Sequence, residues 1–397
     1  MRSAVIALFG ASLFLLLGCG KATGVGNGLL CTSCTVDTDC AGAPCFADVS
    51  GGRFCGIACD GGCPAGYSCQ PVSGANGSVA DTCFPDTEVC QNPHAPDLSA
   101  SMDPTPDGGA PPNHDDLGTL PVGGTVGPTG GTVDRLFFGF SGDTRPAQCG
   151  GKYPTPIINN IFDGMKAQGA QFALDQGDHM FNCGSGASAF SGAKQQIGEY
   201  LTAANRFGKT VFMTMGNHEC SGSSSALCST GSSYGSNPNY TAFLDALAPV
   251  SPTPYYRFDV QTKTGLAVFI VIADDAWDAT QKAWLETQLT DADAHAKYTF
   301  VSKHHPDGNT DQPAFQGIYD QVRKHKYTLF LTGHSHLFKR QSSDPRAMVI
   351  GCGGAPLAGG TFWGYGTALQ GSDDRIYVRI YDQSTGNTVD SFSVGPQ

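Results

Sequence analysis

From about residue 132 to the C terminus, apolar segments recur and alternate between two patterns. Short, near-continuous apolar runs are typical of strands buried on both faces, and the longer segments between them show helical spacing. In the segment 156–168, for example, Ile157, Ile161 and Met165 recur at the interval that places them on one helix face. The predicted strands are 133–140, 170–178, 209–217, two near 254–273, 297–305 and 326–336, and the predicted helices are 156–168, 187–205, 239–248, 279–289 and 311–325. This alternation, followed by a β-rich tail, predicts an α/β domain with parallel strands covered on both faces.

Unusual polar groups follow five of these predicted strands. The last of the five runs through Thr332 and Gly333 directly into two histidines one residue apart. The five groups are Asp143-Thr144-Arg145, Asp178-His179, Asn217-His218-Glu219, His304-His305 and His334-Ser335-His336. In open α/β sheets, ligands bind beyond the carboxyl ends of the strands, so we expect these groups to meet at one rim. Glycines before several of them, such as Gly333, are predicted to let the backbone turn tightly and approach a bound ion.

The residue types at this rim indicate a metal site. Imidazole and carboxylate together suit Zn, Fe or Mn, whereas carboxylate alone suits Mg or Ca better. A single Gly-Asp pair or a single histidine at a strand end is usually only a turn or a hydrogen-bonded surface group. The ordered set of five groups is much harder to reach by chance, and it offers too many ligands for one ion. The sequence therefore predicts a two-metal site with one bridging carboxylate.

The same residues carry a resemblance to a known family. Gly177-Asp178, Gly216-Asn217-His218-Glu219, His304 and Gly333-His334-Ser335-His336 resemble the motifs of the calcineurin-like metallophosphoesterase superfamily, and its purple acid phosphatases share the Gly-Asn-His-Glu form. The resemblance covers about residues 133–355. It implies an α/β fold, a four-layer sandwich of two mixed β-sheets flanked by helices. A small disulfide-rich module, outside the resemblance, is predicted to precede this domain.

The resemblance also implies a ligand set for two metal ions of unknown identity, Fe, Zn or Mn. The first metal position would consist of Asp143, Asp178 and His336. The second metal position would consist of Asp178 as the bridge, Asn217, His304 and His334. His304 is preferred to His305 because the family's ligand stands two residues before a proline, here Pro306. His218 would lie beside the site as a proton donor or transition-state stabiliser.

The sequence departs from the family pattern at the first metal position. The common Asp-x-His motif is Asp143-Thr144-Arg145 here, and the tyrosine ligand of purple acid phosphatases is replaced by Phe181. Arg145 cannot lose its proton to bind a metal, but it can clamp a phosphate with two hydrogen bonds. Two alternatives remain for His179: it replaces the missing ligand, or it points away and only forms hydrogen bonds. His305 either supports the ligands or is a surface histidine.

The function implied by the resemblance is hydrolysis of phosphate esters by a hydroxide that the two metal ions activate. A phosphodiesterase or nucleotidase specificity is the alternative within the enzyme class. A second alternative is a non-catalytic surface lipoprotein with a decayed metal site, in which the Cys-rich module binds a protein partner.

The N-terminal third of the chain is predicted to contain an export signal and a set of disulfides. Residues 1–19 read as a signal peptide that ends in Leu16-Leu17-Gly18-Cys19 and resembles a bacterial lipobox, so Cys19 would carry a lipid anchor at the periplasmic or cell-surface side of the membrane. An ordinary cleaved signal is the alternative. Ten of the 16 cysteines lie between 31 and 90, which favours five disulfides over a zinc cluster.

Composition completes the domain assignment. Residues 91–131 are rich in Pro, Gly and Asp and are predicted to be a linker before the domain 132–397. The net charge is −12, and residues 1–132 hold 12 Asp and Glu against 3 Lys and Arg. Without a basic run, a nucleic-acid-binding face is not expected.

Near the rim, disulfides are predicted for Cys149–Cys183 and Cys220–Cys228, with Cys352 left free and buried.

Overall fold

The computed structural model describes residues 34, 45–47, 53–56, 59, 63, 67–73, 79–85, 123–221, 228, 237–306, 313–342 and 344–397. These residues fall into two compact units, one before residue 96 and one from residue 123 onward. The predicted signal peptide 1–19, its Cys19 and most of the predicted linker lie outside the described residues. Among the residues that are described, no helix is long and apolar enough to cross a membrane.

The Cys-rich unit is built from short antiparallel strand pairs. Strand β1 (Cys45–Ala47) pairs with β2 (Arg53–Cys55), and β3 (Tyr67–Ser73) pairs with β4 (Val79–Pro85). Disulfides join Cys34 to Cys45, Cys59 to Cys69 and Cys63 to Cys83, and Cys55 is disulfide-bonded as well. The disulfide prediction is therefore confirmed for these cysteines, and the other cysteines of the predicted five bridges lie outside the described residues.

Two mixed sheets form the larger unit. The first sheet has eight strands in the order β14 (Phe338–Arg340), β15 (Ala347–Ile350), β13 (Leu329–Thr332), β12 (Tyr298–Ser302), β11 (Leu266–Val271), β10 (Tyr256–Gln261), β6 (Gly130–Val133) and β5 (Gly124–Gly127). The strands from β15 to β11 are parallel, and antiparallel pairs join β14 to β15, β10 to β11 and β5 to β6.

The second sheet has six strands in the order β18 (Thr388–Val394), β17 (Ile376–Asp382), β16 (Gly364–Gln370), β7 (Phe137–Ser141), β8 (Phe172–Asp175) and β9 (Val211–Met213). Strands β7, β8 and β9 are parallel, and the β-rich tail adds β16, β17 and β18 as antiparallel neighbours. The mixed sheets implied by the resemblance are confirmed. The parallel strands β8, β9, β11, β12 and β13 lie within the predicted strand segments, and β7 extends one residue beyond its segment 133–140.

Helices cover the outer faces of both sheets. They are α1 (Thr155–Gln168), α2 (Gly186–Ala204), α3 (Asn217–Ser221), α4 (Pro238–Leu247), α5 (Ala279–His295) and α6 (Pro313–Val322), with a 3-10 turn at Asp274–Ala276. Alternate residues of β11, such as Ile270, pack against α5 and α6 through Leu285, Leu289 and Val322. On the other sheet, α1 lies so close to β7 that a Cβ at Gly139 would be 2.6 Å from the sulfur of Met165.

An aromatic layer fills the space between the two sheets. Phe138 of the six-stranded sheet lies edge-on to Phe269 and Phe300 of the eight-stranded sheet, with ring centres 5.4 and 5.0 Å apart. Phe172 meets Phe269 in the same way at 5.3 Å. Side chains of β11 point alternately towards the other sheet and towards the helices, so each sheet packs against the other sheet on one face and against helices on the opposite face. This is the four-layer arrangement that the resemblance implied.

Strand β5 and the first two residues of β6 lie within the stretch 91–131 that the sequence predicted to be a linker. Strands β5 and β6 contain four glycines in eight residues, so they lack the apolar alternation by which strands are recognised. Gly130 has a φ of +103°, and a Cβ there would collide with the carbonyl oxygen of Asp259 on β10. The close approach of β6 to β10 therefore requires the glycine that made this stretch look unstructured.

Candidate metal centre

The structure brings the polar groups from the five strand ends together. Asp143, Asp178 and Asn217 follow the carboxyl ends of the parallel strands β7, β8 and β9 in one sheet. His304 follows β12, and His334 and His336 follow β13, in the other sheet. Because both sheets present these ends at the same side, residues almost 200 positions apart in sequence are within hydrogen-bonding distance.

Four of the predicted ligands have a left-handed backbone conformation. The φ angles are +60° at Asp143, +58° at Asp178, +69° at His334 and +46° at His336. Non-glycine residues rarely adopt this conformation, and it is concentrated at functional sites. Only one other non-glycine residue in the described part of the chain, Asp374, shares it. The backbone is therefore bent at the positions where these side chains are aimed into the site.

Glycines beside the ligands provide space. A Cβ at Gly216 would collide with Oδ1 of Asp178, and a Cβ at Gly333 would lie 2.5 Å from Oδ2 of Asp143. At Gly177, with a φ of +96°, a Cβ would lie 2.8 Å from Nδ1 of His304. The sequence analysis predicted a tight turn at Gly333, and the structure shows that the position must also stay empty for Asp143.

We expect Gly216→Ala to lower kcat/KM by roughly 10²-fold, because a displacement of about 1 Å in a reacting group has that effect. The new methyl group would push Asp178 out of position. Gly198→Ala is the matched control, since Gly198 lies in α2 and a Cβ there meets nothing within 4 Å. The control should keep full activity in a steady-state assay, and equal activity in both variants would contradict this role of Gly216.

The second metal position brings together nitrogen and oxygen atoms of Asn217, Asp178, His304 and His334. Oδ1 of Asn217 lies 3.1 Å from Nε2 of His304 and 3.2 Å from Nδ1 of His334. Oδ1 of Asp178 lies 3.3 Å from Nε2 of His304. The other nitrogen of His304, Nδ1, lies 2.7 Å from the carbonyl oxygen of Gln176, so Nδ1 donates its hydrogen there. Nε2 is therefore the nitrogen of His304 that faces both oxygen atoms. Although burial opposes it, the Asp178 carboxylate raises the pKa of His304 well above its ordinary value, so in the metal-free site Nε2 carries a proton whose place a bound ion would take.

The first metal position brings together Asp143, Asp178 and His336, whose ligand atoms all lie within 4.8 Å of one another. Nε2 of His336 is 3.4 Å from Oδ1 of Asp143, and Nδ1 of His336 donates to the carbonyl oxygen of Pro356 at 2.8 Å. Arg145 also lies here, with its Nε 3.4 Å from Oδ2 of Asp178 and its Nη2 3.2 Å from Nε2 of His336.

The structure decides between the two alternatives for His179. Its ring is fully buried, with Nε2 3.1 Å from Asp175 and Nδ1 3.6 Å from Glu219. Although burial opposes it, the Asp175 carboxylate raises the pKa of His179 to about 10, so the ring is positively charged. Because both of its ring nitrogens face these carboxylates, neither is left to bind a metal ion. His179 points away and does not replace the missing ligand.

Glu219 has a role that the sequence analysis did not assign. Its carboxylate is fully buried and accepts hydrogen bonds from the backbone N–H groups of Asp178, His179, Met180 and Gly216, at 2.9, 2.6, 3.2 and 2.8 Å. One side chain thereby holds the loop after β8 and the loop after β9 together. The sequence feature that could have identified Glu219 is its position directly after Asn217-His218.

A second buried group lies behind the site. Asp274 accepts a hydrogen bond from Lys303 at 3.2 Å and from the backbone N–H of His305 at 2.9 Å. The ring of His305 stacks on Phe315 at 3.9 Å and lies 4.2 Å from the ring of His334. His305 is therefore a buried support for His334, and the surface alternative is wrong. Sequence reasoning missed Asp274 because an Asp-Asp pair after a strand is typical of a turn.

The electrostatics of the site favour a bound cation. Burial raises the pKa of Asp143 well above its ordinary value, and the Asp178 carboxylate adds to this. Although burial opposes it, His304 and His218 hold the pKa of Asp178 well below its ordinary value. Burial, followed by the charge of His304, lowers the pKa of His334 to about 2. Burial, followed by the charge of Arg145, lowers the pKa of His336 to about 4. Both rings are neutral at neutral pH, which is the form that binds a metal ion.

A family model decides the identity. The model of the calcineurin-like phosphoesterases matches residues 140–338, half of the chain and the whole of the candidate metal centre. The chain belongs to the calcineurin-like phosphoesterase family. This phosphoesterase is accordingly a metal-dependent hydrolase of phosphate esters, and its family uses a dinuclear metal centre.

Three solved structures are similar to this chain at low identity. GAP50, described as the anchor in the inner membrane complex of Plasmodium, is 14% identical over 66% of this chain and 89% of that one, with a TM-score of 0.48. Purple acid phosphatase PPD1 from yellow lupin, Lupinus luteus, is 14% identical over 65% and 53%, with a TM-score of 0.45. A dimetal phosphatase from Danio rerio is 13% identical over 66% and 99%, with a TM-score of 0.48. No curated protein matches the phosphoesterase.

The ligand atoms of the second metal position fit a metal ion. Ligands about 2.0–2.2 Å from a tetrahedral metal lie roughly 3.3–3.6 Å from one another. In the phosphoesterase three of these pairs are 3.1 to 3.3 Å apart: His304 with Asn217, His334 with Asn217, and His304 with Asp178. Asn217, His304, His334 and Asp178 would hold an ion there, and the ion would take the place of the proton between His304 and the two oxygen atoms. At the first metal position the three ligand atoms lie within 4.8 Å of one another, but the guanidinium of Arg145 contacts two of the three groups.

The cysteine predictions near the rim are confirmed. Disulfides join Cys149 to Cys183 and Cys220 to Cys228, and Cys352 is free and buried. Cys149 follows the loop of Asp143, Cys183 follows that of Asp178, and Cys220 lies in α3 directly after Glu219. The two bridges therefore tie down the segments that carry three of the ligands.

Proposed function

We propose that this phosphoesterase is an exported, lipid-anchored enzyme that hydrolyses phosphate esters at the candidate metal centre. The observation that carries the proposal is the second metal position, where four separate loops bring nitrogen and oxygen ligand atoms together, with three pairs of atoms 3.1 to 3.3 Å apart. Imidazole, amide and carboxylate groups together form a ligand set that suits Zn, Fe or Mn. A metal ion bound there would supply an activated water and neutralise negative charge on a phosphoryl group.

His218 is proposed as the proton donor to the leaving oxygen. Its Nε2 lies 3.7 Å from Oδ2 of Asp178, so the ring faces the site, and its backbone N–H donates to Oδ1 of the same residue at 3.0 Å. The ring is held by Phe181, whose ring centre is 4.3 Å away. Proton transfer to the leaving group at this point would assist cleavage of the ester bond.

Arg145 is proposed to stabilise the transferring phosphoryl group. Its side chain is 12% exposed, so the guanidinium is largely withdrawn from water, and a fixed positive charge there is more effective than in solvent. The position beside Asp178 places this charge next to the second metal position. Arg145 and a bound ion would together neutralise the oxygens of a phosphate ester.

The test is a substrate panel on the purified full-length protein, with p-nitrophenyl phosphate as the monoester and bis(p-nitrophenyl) phosphate as the diester. We expect hydrolysis of at least one, loss of it with a chelator, and recovery with Zn²⁺, Mn²⁺ or Fe. Preference for the diester would select the phosphodiesterase alternative. Failure to hydrolyse either ester with any of these metals would contradict the proposed function and favour a binding lipoprotein.

The membrane location is a separate proposal, supported by the lipobox-like sequence and by the disulfides. Bridges such as Cys149–Cys183 persist in oxidising compartments outside the cytoplasm. One lipid-modified cysteine would tether the chain to a bacterial membrane, with the Cys-rich unit and linker as a spacer or as the binding site of a protein partner.

We expect Cys19→Ser to abolish lipid labelling and to release the protein from the membrane fraction of a bacterial host. A serine cannot form the thioether to the lipid. Labelling with radioactive palmitate checks this, and Ser12→Ala, within the apolar run, is the control that should remain labelled. A wild-type protein without label would reject the lipid anchor, and a labelled Cys19→Ser variant would reject Cys19 as its site.

A further inference from the structure

We propose that Arg145 takes the place of one of the family's two metal ions, so that this phosphoesterase holds a single ion in the second metal position. The proposal rests on the metal-dependent function proposed above. It departs from the two-ion expectation that the family resemblance implies.

The guanidinium of Arg145 contacts the atoms that an ion in the first metal position would need. Its Nη2 lies 3.2 Å from Nε2 of His336, and its Nε lies 3.4 Å from Oδ2 of Asp178. A metal ion bonded to both atoms at about 2.0–2.2 Å would stand in the space of these N–H groups. A guanidinium and a metal ion therefore cannot share the position.

The position of the hydrogen on the His336 ring agrees with the guanidinium of Arg145 in the first metal position. Its Nδ1 lies 2.8 Å from the carbonyl oxygen of Pro356, which can only accept, so Nδ1 carries the hydrogen. Nε2 then presents a lone pair, and the neighbour that can donate to it is Nη2 of Arg145. The lone pair that would bind a metal ion is used by an N–H group.

Arg145 is fixed where it stands by a second substitution. Its Nη1 donates to the carbonyl oxygen of Pro146 at 2.9 Å, and its guanidinium lies over the ring of Phe181 at 4.8 Å. Phe181 occupies the position of the tyrosine ligand of the purple acid phosphatases. The two residues that replace metal ligands of the family patterns thus contact each other as a cation–π pair.

Charge explains why such a replacement is tolerated. Asp143 and Asp178 are both fully buried, and two buried carboxylates this close need a positive charge. A guanidinium is always charged and cannot be lost to a chelator, whereas an ion can. The second metal position differs because its ligand atoms face one another: Nε2 of His304 lies 3.1 Å from Oδ1 of Asn217 and 3.3 Å from Oδ1 of Asp178.

Metal counting on the full-length protein tests the proposal. The protein is stripped with a chelator, loaded with excess Mn²⁺, and freed of unbound metal before the metal content is measured by mass spectrometry. We expect one ion per chain in the wild type and in Arg145→Lys. We expect two in Arg145→His, which restores the family's Asp-x-His spacing. Electron paramagnetic resonance should show an isolated Mn²⁺ in the wild type and a spin-coupled pair in Arg145→His.

Two further variants show which metal position holds the single ion. Their results can be interpreted even if Arg145→His does not fold. We expect His334→Ala to bind no ion and His336→Ala to keep one. Two ions in the wild type would overturn the inference and leave the proposed function intact. No ion in the wild type would overturn the proposed function itself. One ion that survives His334→Ala and is lost in His336→Ala would show that Arg145 does not occupy the first metal position.

Discussion

Asp178→Asn is expected to lower kcat/KM by about 10³-fold or more, equivalent to about 4 kcal/mol of transition-state stabilisation. The Asp178 carboxylate faces His304 through Oδ1 at 3.3 Å, and Arg145 through Oδ2 at 3.4 Å. An amide is uncharged and binds a metal ion far less well, so metal affinity should fall with the activity. Steady-state kinetics and metal content on the same preparation check both effects.

The substitution should leave the fold intact, which makes the result interpretable. Asparagine tolerates the left-handed backbone of position 178, where φ is +58°, and its Oδ1 can still accept from the N–H of His218. Asp163→Asn is the matched control, because Asp163 is 43% exposed and pairs only with Arg206 on the surface. Full activity in Asp178→Asn would remove this residue from the site.

Glu219→Gln is expected to destabilise the protein by about 3–5 kcal/mol, because each buried N–H group left without an acceptor costs about 1–3 kcal/mol. Each carboxylate oxygen accepts from two backbone N–H groups: Oε1 from His179 and Met180, and Oε2 from Asp178 and Gly216. Whichever way the amide is turned, its NH₂ group faces two donors. In thermal unfolding we expect the Tm to fall by roughly 10 °C.

Activity should fall together with stability in Glu219→Gln, because the carboxylate positions the loops of Asp178 and Asn217. The control is Glu286→Gln, a residue on the surface of α5 that is 56% exposed. This control should unfold within about 0.5 kcal/mol of the wild type. A Tm equal to that of the control would show that Glu219 does not hold the two loops together.

The elements that could be predicted from the sequence are those with strong local signals. Most of the parallel strands are mainly apolar and stood out from the helices between them, and the metal ligands were recognisable because they follow strand ends in a family order. Strands β5 and β6 could not be found in this way, since their glycines serve a contact with β10 that only the folded sheet contains. Helix α5 runs six residues past its predicted end, because Ala292 continues the buried stripe with a small side chain.

The part of the site that escaped prediction consists of contacts between distant segments. The Asn217-His218-Glu219 motif marked Glu219 as part of the rim, but it does not indicate that the carboxylate would accept four backbone hydrogen bonds. The same holds for Asp274, whose partners Lys303 and His305 lie about 30 residues away. For Arg145 the sequence showed a departure from the family pattern, but only the structure places its guanidinium between Asp178 and His336.

The most direct test of the metal centre is an anomalous diffraction map from crystals of the full-length protein grown with Zn²⁺. We predict a peak in the second metal position, about 2.0–2.2 Å from ligand atoms of His304, His334, Asn217 and Asp178. Crystals in which these four side chains stand as described, with no anomalous peak among them, would contradict the account.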